Sequence, residues 1–119
     1  MHEPAWNAGG DHGNNATAQT VIQPLCVAYG VQIVLAGHNH LYSRAVNNGV
    51  HHITSGSGGA PFYAVAAGWP YVVTYTASTY EFVKVDIQGA TMTFTTVSSG
   101  GSVIDGPISI VQDSTPPTP

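Results

Sequence analysis

The chemistry available to this chain lies in its histidines. Six imidazoles are spread over 119 residues, and two of them stand in Gly37-His38-Asn39-His40, directly after the apolar run Val31-Gln32-Ile33-Val34-Leu35-Ala36. Neutral imidazole is a ligand for Zn, Fe and Mn and exchanges protons near neutral pH. In an extended backbone, side chains two apart point the same way, about 7 Å apart at the Cα level. That spacing would let the pair reach one metal, or two metals roughly 3.5 to 4 Å apart. Gly37 is expected to let the chain turn sharply, with no Cβ in the way. Two surface-loop histidines without a ligand are the competing reading. His51 and His52 are adjacent in a β-rich stretch and must face opposite ways, so structural roles are expected for both.

The elements around the pair are legible in outline. The run 31–36 is short, β-branched and nearly all apolar, which predicts a strand covered on both faces, as in an α/β sheet. Ligand sites of such sheets gather at the carboxyl ends of strands, where the histidine pair falls. Upstream, Met1 to Gly13 has the composition of a loop and carries two more histidines. A helix is expected over about 15–29, capped by Asn14 or Asn15, with Val21, Leu25 and Ala28 on its buried stripe, a kink at Pro24, and Gly30 ending it in a left-handed conformation. From Gly49 onward the pattern predicts strands over 49–55, 71–76, 80–88 and 91–97, with short pieces near Val103 and Ile108 and a hairpin turn at Gln88-Gly89. In 80–88, Val83, Val85 and Ile87 share a dry face with Glu81, opposite Lys84 and Asp86. Tyr71, Val73 and Tyr75 share a face that predicts a half-buried strand. Gly56-Ser57-Gly58-Gly59 predicts a tight turn rather than a backbone nest for an anion. Arg44 has two readings, ordering the loop after His40 or standing solvated. The single sequon, Asn15-Ala16-Thr17, is read as a chance match.

Composition narrows the function classes. Charged residues are 7% of the chain, with two basic against six acidic and a formal charge of −4. So few cations exclude an electrostatic nucleic-acid binder and a polybasic membrane anchor. No stretch approaches the roughly 20 apolar residues needed to cross a bilayer. Cys26 is the only cysteine. It excludes an intrachain disulfide and a thiolate cluster, and a small buried hydrophobe is the expected role. The start of the chain lacks the features of a signal peptide, so an export signal is expected outside it. Residues 113–119, ending Pro-Pro-Thr-Pro, predict a stiff linker after a unit spanning 1–112.

The stretch Val34 to Arg44, with Gly37-His38-Asn39-His40 at its centre, resembles the last metal-binding motif of the calcineurin-like metallophosphoesterases, and in particular of their purple acid phosphatase branch. His2-Glu3-Pro4-Ala5-Trp6 resembles the preceding motif, and Asp11-His12-Gly13 sits where that branch often carries a histidine near the substrate phosphate. Val50 to Pro61 resembles the family's strand and glycine turn, and 80–110 its closing hairpins. The resemblance covers about residues 1–110.

That resemblance implies an α/β, β-rich fold, the carboxyl-terminal half of a four-layer α-β-β-α sandwich, with one helix followed by mostly antiparallel strands. It implies that His2 and His38 bind one metal of a dinuclear Fe, Zn or Mn centre and His40 the other. His12 would hydrogen-bond substrate phosphate or donate a proton to the leaving oxygen. The activity implied for the intact domain is hydrolysis of phosphate mono- or diesters by a secreted enzyme. The family's earlier motifs, which carry the metal-binding aspartates including the bridging carboxylate, have no counterpart here. Three histidines leave the repulsion of two cations uncompensated, so this chain alone is expected to be inactive and to hold one metal weakly or none. A structural or self-assembling extracellular module is the alternative, since half of a two-sheet domain leaves strand edges and apolar faces open to a missing half or to further copies. A mononuclear zinc site on His2, His38 and His40 is a third reading.

Overall fold

A computed structural model describes residues 1–9 and 11–112; the linker expected over 113–119 lies outside the described residues. Among these described residues one α-helix and seven strands build three layers. Helix α1 (Gln23–Ala28) continues from a π-helical turn at Ala18–Ile22. Strands β1 (Ile33–Ala36), β2 (Tyr42–Asn47), β3 (Val50–Ser55) and β4 (Val72–Thr76) form one sheet in the order β1-β3-β2-β4, in which β1 and β3 are parallel and the other pairs antiparallel. Strands β5 (Glu81–Gln88), β6 (Thr91–Ser98) and β7 (Val103–Val111) form a second, antiparallel sheet in that order.

Alternation along the first sheet sends its two faces to different partners. One face meets the helix and the opening loop, where Ala5, Trp6, Ala18 and Ala45 pack with Ile22 and Val72. On the other, Tyr42, Ile53 and Phe94 pack with Ile33, Val83 and Ile108 between the sheets. Several sequence expectations hold. Gly30 ends the helix region at φ +69°, Cys26 is buried, and β5 and β6 pair as a hairpin, though its two-residue turn is Gly89-Ala90, one residue later than expected, because Gln88 still pairs with Thr91.

Others need correction. The helix buries Ala18, Gln23 and Cys26, with Ile22 half-buried, while Val21 and Leu25 are 51% and 52% exposed. Gln23 fixes that rotation: its amide donates to the Asn47 carbonyl at 3.0 Å and its Oε1 lies 2.6 Å from His52 Nε2. Pro24 does not interrupt the helix. It stands where the π-helical turn passes into α1, inside one helical run over 16–28, and the turn just before it departs from α geometry, a local adjustment at a residue that lacks an N–H. The strand after the helix is not covered on both faces. It is an edge strand with Leu35 44% exposed, paired with β3 on one side. On its other side lie Met1, whose amino group donates to the Leu35 carbonyl, and His2, whose carbonyl accepts from Gly37 N. Strand β2 was not expected. It joins β3 through Asn48-Gly49, both at positive φ, the backbone that a type I′ hairpin requires. The pieces near Val103 and Ile108 are one strand, irregular in register against β6. The dry face of β5 is buried only near its start, since Val85 is exposed and Ile87 is 71% exposed beyond the edge of the first sheet. Val73 and Tyr75 are exposed on the edge strand β4, and Tyr71, at φ +64°, lies outside it with its ring edge-on to Trp6.

Candidate functional site

The histidines converge where β1 leaves the first sheet. His2 and His38 come from loops 36 residues apart, and His2 Nε2 lies 2.8 Å from His38 Nδ1. The His12 ring lies over His38 with centroids 3.9 Å apart, and Glu3 Oε1 is 3.8 Å from His38 Nε2. An open cleft of about 220 Å³ is lined by Glu3, Pro4, His12, Gly13, Asn14, Asn15 and His38. His40 stands apart from that group. Its Nδ1 lies 2.8 Å from the Pro61 carbonyl, and its ring stacks on Tyr63 with centroids 4.0 Å apart and planes 18° from parallel. A carbonyl only accepts, so Nδ1 carries the proton and Nε2 keeps its lone pair.

The backbone of the motif is not extended, which corrects the simplest reading of the spacing. Asn39 N donates to Gly37 O and Leu41 N to Asn39 O, both at 2.8 Å. The left-handed residue is His38 itself, at φ +68°, and Gly37 has no positive φ and open space where a Cβ would stand. What holds this shape is Asn39. It is fully buried, its amide donates to Asn7 Oδ1 and to the Gly13 carbonyl, and its Oδ1 accepts from His12 N, each at 3.1 Å. Asn7 in turn donates to Gly13 O and Asn14 Oδ1. This asparagine pair ties the His2-to-Asn14 loop to the His38–His40 turn. The chain also passes beneath the turn at Gly56, where a Cβ would fall 1.8 Å from the Asn39 carbonyl oxygen.

Desolvation, followed by the fields of His12 and His2, pushes His38 below the ordinary imidazole value, against the opposing pull of Glu3. The other two predicted strand histidines are structural. His52 is buried between Trp6 and Gln23, and burial first, then His51, takes it down to about 4. His51 lies edge-on to Phe94 and beside Arg44. Arg44 neither orders the His40 loop nor stands in water. It forms a two-pronged ion pair with Asp105 of β7 at 2.7 and 3.2 Å, and the Tyr42 hydroxyl donates to the same carboxylate at 2.6 Å. Desolvation alone would raise Asp105, but the hydrogen bonds from Arg44 and Tyr42 and the Arg44 charge hold it below the usual carboxylate range. In the glycine segment, the Ser57 N–H is taken by the buried Glu81 carboxylate, which also accepts from Ser55. Asn15 is engaged at both ends of its amide, by Glu3 and by Ala18 N, so the sequon is part of the helix start.

The structure thus unites His2, His38 and His12, and adds Glu3, Asn39 and Tyr63, which the sequence reading did not single out. Asn39 stood inside the motif, and its position between two histidines was the available signal; nothing local pointed to Tyr63. The donor set fits part of a metal centre. Two imidazole nitrogens face each other and a third histidine is oriented through its other nitrogen, yet among the described residues no group of three or more His, Cys, Asp or Glu side chains is arranged to hold a metal ion.

No protein-family model matches the chain. It is 40% identical over 58 residues to the rabbit (Oryctolagus cuniculus) tartrate-resistant acid phosphatase type 5, a match covering 48% of this chain and 18% of that protein. Among solved structures, the fold resembles a purple acid phosphatase from yellow lupin (Lupinus luteus) seeds, with a TM-score of 0.80 and 20% identity over 96% of this chain and 24% of that one. It also resembles GAP50, described as the anchor in the inner membrane complex of Plasmodium, with a TM-score of 0.76 and 17% identity over 94% of this chain and 34% of that one. The chain therefore spans about a fifth of the rabbit relative and a quarter to a third of the similar structures. Its α/β architecture, one helix with mostly antiparallel strands in two sheets, matches part of the lupin enzyme's fold.

Proposed function

We propose that this chain is the histidine-bearing part of a secreted, metal-dependent phosphoesterase like the purple acid phosphatases, acting on phosphate mono- or diesters. The single observation that carries the reading is the meeting of His2 Nε2 and His38 Nδ1 at 2.8 Å from loops far apart in sequence. Folding brings two basic nitrogens together at a rim where neither packs a core, which is the arrangement a shared cation stabilises. In this reading His2 and His38 serve one metal, and His40, which keeps its Nε2 lone pair, serves the other. A bound metal pair supplies Lewis-acid polarisation of the ester and an activated water. His12, stacked on His38 and held by its backbone N–H to Asn39, hydrogen-bonds the phosphate or donates a proton to the leaving oxygen.

Among the described residues Glu3 is the carboxylate placed beside these imidazoles, and the further carboxylates that a second cation needs are not gathered there, so the chain alone is read as inactive, with at most one weakly held metal. They belong, in this proposal, to a part of the domain that this chain does not include. Equilibrium dialysis against Zn²⁺, with metal content measured for the chain and for His38→Ala and His40→Ala, tests the reading. Reduced zinc in the His38 variant is expected; identical metal content in all three would end it. In a full-length domain, the same two substitutions are expected to abolish hydrolysis of an aryl phosphate.

A second reading, assembly into homo-oligomers, is favoured by one observation. A groove of about 380 Å³ between β1 and β5, bordered by Met1, Leu35, Phe82 and Val83, lies beside an edge strand without charged side chains. Sedimentation of the chain as a monomer at micromolar concentration would exclude it. No helix among the described residues is long and apolar enough to cross a membrane.

A further inference from the structure

We infer that Tyr63 is a positioning residue for His40; the inference rests on the phosphoesterase reading for its chemical meaning, since that reading gives His40 a metal. Three contacts fasten residues 61–63 to this one histidine. The Pro61 carbonyl accepts from His40 Nδ1 at 2.8 Å, Tyr63 N donates to the His40 carbonyl at 2.9 Å, and the phenol ring lies over the imidazole at 4.0 Å. The contacts do different things. The hydrogen bond to Pro61 favours the proton on Nδ1, but by itself, at an exposed rim, it leaves the imidazole free to rock away from the carbonyl and lose that bond. A near-parallel aromatic ring removes that rocking, because offset-stacked rings resist changes in interplanar angle. Together they aim Nε2 in one direction.

The same phenol ring stands edge-on to His12, with centroids 5.7 Å apart at 60°. Tyr63 is therefore an uncharged spacer between two imidazoles to which the reading gives different tasks, one accepting a metal and the other passing a proton. The sequence places this ring seven residues beyond Gly56, whose close approach to Asn39 fixes where the segment starts. The segment is thus located by contacts independent of Tyr63, and the phenol contributes orientation rather than folding.

The test uses the whole chain with ¹⁵N-labelled histidine at a pH where imidazoles are neutral. Long-range ¹H–¹⁵N correlations read the His40 tautomer, and the shift of its Nε2 resonance during titration with Zn²⁺ alone reads metal affinity at that ring. In the wild type the Nδ1–H form dominates. Tyr63→Leu is expected to mix the tautomers and to raise the half-saturating zinc concentration roughly 3- to 10-fold, the scale of one aromatic contact. Tyr63→Phe restores both. Unchanged tautomer and zinc response in Tyr63→Leu, or a Phe variant that behaves like Leu, overturns the assignment. Should Tyr63→Leu lose its folded amide spectrum, Tyr63→Met gives the same comparison. Where wild-type His40 does not respond to zinc, as a single weak metal on His2 and His38 allows, the tautomer comparison alone decides the role of Tyr63, and the dialysis of the His38 variant separately decides the metal reading.

Discussion

Gly56 lies directly against the carbonyl of Asn39, so close that a Cβ would stand 1.8 Å from the oxygen and 2.8 Å from its carbon. Both atoms belong to backbone, which cannot swing aside. Gly56→Ala is expected to displace the His38–His40 turn and to cost about 3 kcal/mol or more in denaturant unfolding, at the upper end of overpacking penalties. Gly37→Ala is the control. That glycine has free space for a Cβ and needs no positive φ, so its substitution should change stability by less than about 1 kcal/mol.

His38 carries the backbone strain that a glycine would relieve. At φ +68° a side chain with a Cβ is disfavoured, and His38→Gly should be more stable than His38→Ala by roughly 1 kcal/mol. Paired melts of the two variants measure the difference, and equal stabilities would show that the left-handed backbone costs nothing here.

Arg44 and Asp105 join the two sheets across 61 residues of sequence, with side chains 15% and 10% exposed. Replacing Arg44 by Met would leave a buried carboxylate without its counter-charge, held by the Tyr42 hydroxyl and the Gly106 N–H. The expected loss is about 3 kcal/mol, typical of a half-broken buried pair. Asp105 is depressed in the folded state, so its contribution is present above the ordinary carboxylate pKa and is lost as pH falls through its lowered value. The Arg44→Met variant should lose this acid-labile component.

His52 predicts a different pH window. Its folded value, about 4, lies below the ordinary imidazole value near 6.5, so the unfolded chain binds the proton first. Stability is full above about 6.5, declines as pH falls toward 4, and is level below that. The decline from this residue is up to about 3 kcal/mol. His38 and His51, also lowered, add to it, and Glu81, raised by burial, opposes it. Unfolding curves at neutral pH and at pH 4 should converge for His52→Gln relative to wild type; an identical pH response in both would refute the assignment.

The histidine motif and its place at the end of an apolar strand were legible because both are local in sequence. The direction in which the rings point was not, because it depends on Asn39 reaching Asn7 and Gly13 and on Gly56 passing beneath the turn. Strand β2 escaped notice because Ser43 and Arg44 interrupt its apolar pattern, and the partner that makes Arg44 tolerable lies far downstream. Its turn, Asn48-Gly49, was nevertheless a local hairpin signal in plain view. The helix was recognised and its buried face mistaken, since Gln23, a polar residue, is what faces the sheet.

Every histidine at the rim, together with Asn39 and Tyr63, belongs to the first sheet's loops, and no strand of the second sheet contributes a side chain to that group. The second sheet reaches it through the Glu81 carboxylate on Ser55 and Ser57, and the Tyr80 ring just before β5 lies against Phe62, next to Tyr63. Substitutions in the β5–β7 layer away from Tyr80, Glu81, Phe82 and Val83 are thereby expected to leave the imidazoles in place. A lineage is free to reshape that layer for docking or solubility while the chemistry at the opposite rim stays in register.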